Sequence, residues 1–136
     1  MKRTRLKTVE KLVESMGTKI VLVEGKHDVR ALKAIGAEAS FVMAVGKAES
    51  VAERLEKAFG NNGKGVKRVF LLLDFDAEGL RKQKFFKVFL EEHGFATDSV
   101  FARKLRSLLG FTLVEEIESK YFMLKEKGEL HGKNVR

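Results

Sequence analysis

Two apolar periodicities alternate along the first two thirds of this chain. Val9, Leu12, Val13 and Met16 recur at three- and four-residue spacing, which predicts an N-terminal amphipathic helix over about 2–16, ending near Gly17. Ile20 to Val23 then form a continuous β-branched-rich run, the pattern of a strand covered on both faces, and the run stops at Glu24-Gly25. A helix is expected from about Lys26 to Ile35, with Val29, Leu32 and Ala34 or Ile35 inward and Gly36 closing it. Phe41 to Val45 predict a second strand ending at Gly46. Ala48, Val51, Ala52, Leu55, Ala58 and Phe59 mark one face of the next helix, and Glu49, Glu53, Arg54, Glu56 and Lys57 cover its other side. Gly60 to Gly65 reads as a loop. Val69 to Leu73 is the strongest strand candidate; it ends at Asp74-Phe75-Asp76, and a helix is expected over about Glu78 to Glu92.

Apolar strands alternating with amphipathic helices point to an α/β class and a parallel sheet covered on both faces. The order β-α-β-α-β-α requires right-handed crossovers and so a Rossmann-like sandwich. In the C-terminal third, Leu105, Leu108, Leu109, Val114, Ile117 and Phe122 read as core positions of one or two helices, with fraying expected from Lys125 onward. A chain of 136 residues holds one domain of ordinary size and leaves no room for a second.

Composition narrows the chemistry. Hydrophobic residues are 44% of the chain, enough for a sizeable core, and the absence of cysteine removes disulfides and thiolate zinc sites together. The N-terminal segment lacks the apolar stretch of a signal peptide, and the longest strongly apolar run, Val69 to Leu73, is too short to span a bilayer. A cytoplasmic protein with no membrane association is the expectation. The 27 Lys and Arg exceed the 19 Asp and Glu by eight, a surplus that favours polyanionic partners through counterion release.

The candidate chemistry lies at two strand ends, Glu24-Gly25-Lys26-His27-Asp28 and Asp74-Phe75-Asp76-Ala77-Glu78-Gly79. Ligands of open parallel sheets bind outside the carboxyl ends of the strands, so chain direction alone puts Glu24, Asp74 and Asp76 on that edge. If the first and third strands are neighbours, the carboxylates converge. Clustered carboxylates repel one another unless a cation sits between them, and magnesium suits such an oxygen-only set. Manganese is an alternative. The reading requires Glu24 to face the aspartates across a gap that no lysine or arginine already fills. Gly25 and Gly79 are expected to permit tight turns and close approach of a phosphate backbone, with Lys26 as a mobile charge at the mouth. Asp28 is a further candidate to touch the bound nucleic acid, and plainer roles stand beside these: Asp28 as a favourable charge in the first turn of its helix, Asp74 or Asp76 as the cap of the helix that follows.

Other chemistries fit less well. Gly46-Lys47 lacks the remaining residues of a phosphate loop, no Gly-x-Gly-x-x-Gly occurs, and His27, His93 and His131 show no ligand spacing. Receiver domains and haloacid-dehalogenase-type phosphatases also place Asp at strand ends. The phosphatase pattern wants Thr or Val where this chain has Glu78, and receivers lack the upstream Glu-Gly-Lys.

The stretches IVLVEGKHD at 20–28 and VFLLLDFDAEG at 69–79 resemble the two signature motifs of the toprim family, shared by topoisomerases, bacterial-type primases, certain nucleases, a recombination-repair protein and a ribosomal-RNA maturase. The resemblance covers about residues 18–95. It implies a three-layer sandwich with a central, mostly parallel sheet of about four strands, flanked by the N-terminal helix and a C-terminal helical extension over about 100–126. It further implies that Glu24 acts as general acid or base at a phosphodiester and that Asp74 and Asp76 hold magnesium. Glu78 matches an extra acidic position of the topoisomerases. The acidic residue that often follows the motif glycine is Leu80 here, which tells against a second metal. The whole chain is most similar to small stand-alone toprim proteins, whose C-terminal segments resemble residues 101–117. Length excludes a complete topoisomerase or primase.

Nucleic acid, RNA or DNA, is the expected partner. Basic groups occur at Lys2, Arg3, Arg5 and Lys7; at Arg81, Lys82, Lys84 and Lys87; and at Arg103, Lys104 and Arg106. Helical spacing sets Arg81 and Lys84 along one side that begins beside the acidic site, where they and Lys82 would guide a phosphate backbone inward. Phe85 and Phe86 read as core. The leading expectation is a magnesium-dependent nuclease or processing enzyme, monomeric or homodimeric. The alternative is a non-catalytic binding or assembly module within a repair or RNA-processing complex.

Overall fold

β1 (Ile20–Val23) lies between β2 (Ser40–Met43) and β3 (Arg68–Leu71), β4 (Ala96–Asp98) forms the far edge, and every neighbouring pair is parallel. The computed structural model describes residues 2–60 and 65–134, with the backbone path alone for 2, 3 and 129–134. Residues 61–64 of the expected loop therefore lie outside the described residues. So do the side chains of Lys2, Arg3 and His131.

Side-chain alternation along β1 divides the core in two. Val21 and Val23 pack on one face with α1 (Lys2–Ser15), α2 (Lys26–Ala34), α5 (Val100–Leu109) and α6 (Ile117–Asn134). Leu22 packs on the other with α3 (Ala48–Phe59) and α4 (Ala77–Glu92). Leu71 and Leu73 join the second cluster and Leu72 the first, so the run after Val69 is apolar because both faces are covered. This is the α/β three-layer sandwich with a four-stranded, all-parallel sheet.

The expected elements appear with small shifts at their ends. The strand read as Val69–Leu73 ends its ladder at Leu71, although the Leu72 N–H still donates to the Leu22 carbonyl at 2.9 Å. Past Lys125, where fraying is expected, α6 runs on to Asn134, with Leu124 buried in the cluster that α1 shares. Phe122 is 44% exposed, against expectation; Tyr121 and Leu124 take the inward phase instead, and the Tyr121 ring lies 5.2 Å from that of Phe122. Phe86 is core as read, but Phe85 is 52% exposed and stacks on Phe89. No helix among the described residues is long and apolar enough to cross a membrane.

Candidate active site at the carboxyl edge of the sheet

Pairing of β1 with β3 sets Glu24 and Asp74 side by side, as the strand-neighbour argument requires. Glu24 Oε2 accepts the backbone N–H of Asp74 at 2.9 Å, which makes the two carboxyl groups neighbours, each perturbing the other's charge. Asp74 Oδ1 accepts the N–H of Val114 at 2.7 Å, and the Phe75 N–H donates to the Thr112 carbonyl at 2.7 Å. The turn between α5 and α6 thus grips the acidic strand end. Glu116 holds that turn in shape by accepting the N–H groups of Thr112 and Leu113, both at 2.9 Å. Phe75 packs edge-on against Phe111 with the Arg106 guanidinium 4.9 Å from its ring centre, which anchors the same junction.

Asp76 serves α4 instead. It is the N-cap residue, and its Oδ1 accepts the Gly79 N–H at 2.7 Å. The plainer capping role therefore belongs to Asp76, while Asp74 turns toward Glu24 and Val114. The two aspartates are engaged on different partners. Among the described residues, no three acidic or histidine side chains stand close enough together to enclose a metal ion.

Lys82, one turn into α4, reaches back over the site. Its Nζ lies 2.9 Å from Glu24 Oε1 and 3.5 Å from Glu78 Oε1. The condition that no lysine fill the gap is therefore not met: Glu24 faces Asp74 as expected, but a cation of the chain already answers its charge. Spacing along α4 grouped Lys82 with Arg81 and Lys84 as a phosphate guide, yet its position one turn after Glu78 and its long stem bring it into the acidic site.

The electrostatics separate the two neighbours. Burial alone would raise the Glu24 pKa, but the Lys82 ammonium, the Asp74 N–H and the Asp74 carboxyl outweigh it and hold Glu24 below the ordinary carboxylate value. Asp74 goes the other way. Burial raises it, the Val114 N–H only partly offsets this, and the adjacent Glu24 charge pushes it further, to about 7. Below about pH 7 this pair retains a proton, and Asp74 carries it. Lys82 is raised by its bond to Glu24, so it stays charged.

The remaining site residues fall into place unevenly. Asp28 is only 6% exposed and accepts the Gly25 N–H at 3.2 Å, so it braces the turn after β1 from beneath. Lys26 opens α2 beside that turn, and Arg81 and Lys84 are exposed on α4. The two motif glycines differ. Gly25 has an extended backbone, φ −164°, and open space where a side chain would go. At Gly79 a Cβ would lie 2.1 Å from the Asp74 carbonyl oxygen, so a bare backbone is needed for α4 to start against the acidic strand end. Neither glycine has a positive φ, and the tight-turn role expected of them is replaced by close packing at Gly79. The Val114 N–H as partner of Asp74 escapes the sequence reading, which has Val114 only as core, because a backbone donor has no side-chain signature; Glu116, bonded only within its own turn, gives no sign of the site either.

Comparison with known proteins agrees with this geometry. The family model described as Toprim domain matches residues 19–102, from the start of β1 into α5. A UPF0292 protein of Archaeoglobus fulgidus is 35% identical over 104 residues, covering 75% of this chain and 76% of the relative. A solved structure of an Aquifex aeolicus protein superposes with a TM-score of 0.63 at 27% identity, covering 82% of this chain and 95% of the other. Family membership carries a nucleic-acid-related, metal-binding role in its general form. With Glu-Gly ending β1, Asp-x-Asp following β3, and both on one parallel sheet, the chain belongs to the toprim family.

Proposed function

We propose that this protein binds a divalent cation, magnesium or manganese, at the Glu24–Asp74 edge and acts there on nucleic-acid phosphodiesters. The observation that carries the reading is the meeting of Glu24 and Asp74 at one strand edge, where burial and the Glu24 charge raise the Asp74 pKa to about 7. Among the described residues an ion pair reaches Glu24 but none reaches Asp74. All donors of the two carboxyl groups are oxygens, and magnesium typically takes one or two carboxylates and completes its shell with water and phosphate, so a preformed cage is not needed. Asp74 and Asp76 would hold the ion, with Glu78 at the rim, and Lys82 would yield its place on Glu24. Lys82 can do so because its side chain is 40% exposed on a flexible stem.

When bound, the cation would supply charge stabilisation to a phosphoryl oxygen. The chain's own groups divide the rest. Glu24, still bonded to the Asp74 N–H once Lys82 has left it, is the group able to accept a proton from an attacking hydroxyl or water. Once displaced, Lys82 would join Lys26 and Arg81 in holding phosphate, and open space at Gly25 lets a phosphate approach the backbone. The test is cleavage of a broad panel of RNA and DNA by purified protein with magnesium or manganese. Metal-dependent products that vanish in Glu24→Ala and Asp76→Ala proteins of unchanged fold are expected. An untouched panel would reject the catalytic reading.

The engagement of Lys82 on Glu24 favours a second reading, in which the chain is a non-catalytic nucleic-acid-binding or assembly module. Binding retained in Asp74→Ala and Asp76→Ala proteins, with no turnover by the parent, would decide for it.

A further inference from the structure

The free edge of the sheet carries a second basic feature, separate from α4. A groove of about 670 Å³ follows the outer edge of β2 between α2 and α3. Four cations line it, Lys26 and Lys33 from α2 and Arg54 and Lys57 from α3, and no carboxylate does. Lys26 and Lys33 are seven residues apart, hence on one face of α2 and about 10 Å apart along its axis. Phe41 and Met43 supply apolar lining, with Met43 37% exposed. Lys26 directly follows Glu24-Gly25 in the chain, so the Lys26 end of the groove is the end nearest the acidic site.

Two occupants compete for such an edge, an added β-strand and a polyanion. The Ser40 and Ala44 N–H groups donate to the carbonyls of Lys19, just before β1, and Val23, so the backbone groups of Phe41, Met43 and Val45 point outward. Arg54 donates to the Met43 carbonyl at 2.8 Å and to the Val45 carbonyl at 2.6 Å. Those are acceptors that an added strand would need, so the edge is blunted against strand addition. The same bonds commit the Arg54 guanidinium and leave the three lysines to meet a ligand. Among the described residues the ion pairs run from Lys67 to Glu56, from Lys82 to Glu24 and Glu78, and from Lys87 to Glu91; none uses a lysine of the groove.

We infer that this groove is the track of a single nucleic-acid strand leading into the acidic site, with phosphates on Lys26, Lys33 and Lys57 and a base against Met43. The volume is that of one drug-sized ligand, about one or two nucleotides, and bases stack on apolar surfaces with little sequence preference. The inference rests on the nucleic-acid reading above and adds the path of the strand.

The experiment is a fluorescence-anisotropy titration of labelled single-stranded RNA and DNA in chelator, across a salt series. It uses the parent chain, Lys33→Gln/Lys57→Gln, and Arg81→Gln/Lys84→Gln as the α4 counterpart, each checked for unchanged melting. Single strands release about 0.7 counterion per phosphate contact, so the groove variant should flatten the salt slope by about 1.4 and weaken binding about tenfold, with the α4 variant affected less. Unchanged affinity and slope in the groove variant, with binding by the parent intact, overturns the track and leaves the nucleic-acid reading standing. No binding by the parent, in chelator or with magnesium added, overturns both. A groove variant that alters self-association but not oligonucleotide binding overturns the track in favour of a protein partner.

Discussion

Lys82 Nζ lies 2.9 Å from Glu24 Oε1, so the cation nearest the paired strand-end carboxyls belongs to the chain itself. Two consequences can be measured in Lys82→Gln. In chelator the variant should be less stable by about 0.5–1 kcal/mol, the worth of a partly exposed ion pair. Manganese should then raise its melting temperature more than it raises that of the parent, because the ion no longer competes with an ammonium for Glu24. Equal manganese responses in the two proteins would show that the ion does not use this gap.

The two motif glycines should answer differently to the same substitution. Gly79→Ala drives a Cβ into the Asp74 carbonyl, and either α4 or the acidic strand end must shift. Overpacking of this kind costs about 1–3 kcal/mol, and here the atom met is backbone, which yields least. Gly25→Ala places its methyl in open space on an extended backbone and should change stability by less than about 0.5 kcal/mol. Denaturant titration of both variants checks the contrast. A Gly79→Ala protein as stable as Gly25→Ala would contradict the packing described at the start of α4.

Much of this site is legible in the sequence, and the part that is not has a common cause. Strand direction and the apolar runs at 20–23 and 69–73 sufficed to bring Glu24 and Asp74 to one edge, because a parallel sheet fixes which ends face outward. β4 was not assigned to residues: Ala96-Thr97-Asp98 has three residues and no apolar run, and it is a strand because β3 offers it a partner. Lys82 was legible as a basic residue of α4 but not as the partner of Glu24, 58 residues away, since a long side chain's direction is settled by tertiary neighbours. Val114 was read as core, which it is, while its N–H orients Asp74.

Asp74→Asn should stabilise the metal-free protein, and the pH dependence gives the sign. The Asp74 pKa is 3.8 ordinarily and about 7 when folded, chiefly through burial and then the Glu24 charge. Below pH 3.8 both states carry the proton, and the group's contribution to stability is fully present. As pH rises toward 7 the unfolded chain ionises while the folded one retains its proton, so that contribution declines and is gone above about 7. Asparagine keeps an acceptor for Val114, offers a donor to Glu24 and does not titrate. Its advantage should therefore grow between these limits and level off above them, at about 1–2 kcal/mol after allowance for solvent screening. Melting curves in chelator at acidic and alkaline pH check this. A variant less stable than the parent at alkaline pH would mean that Asp74 is not the proton carrier.

Asp28 tests whether the turn after β1 is held from beneath. Its carboxylate accepts the Gly25 N–H and is almost fully buried, so it shapes the backbone that presents Glu24. Burial raises its pKa; the Gly25 N–H opposes this, and the Glu24 charge adds to the rise. Asp28→Asn retains an acceptor oxygen and loses a charge that Glu24 repels, so its stability should stay near that of the parent. Asp28→Ala leaves the Gly25 N–H unpaired at the head of α2 and should cost about 1–2 kcal/mol. Hydrogen exchange separates a local effect from a general one: the Gly25 amide should lose protection in Asp28→Ala and keep it in Asp28→Asn, while amides of β3 keep theirs in both. Equal melting and equal Gly25 exchange in the two variants would show that the carboxylate does not brace the turn, and the position of Glu24 would then rest on its bonds to Asp74 and Lys82 alone.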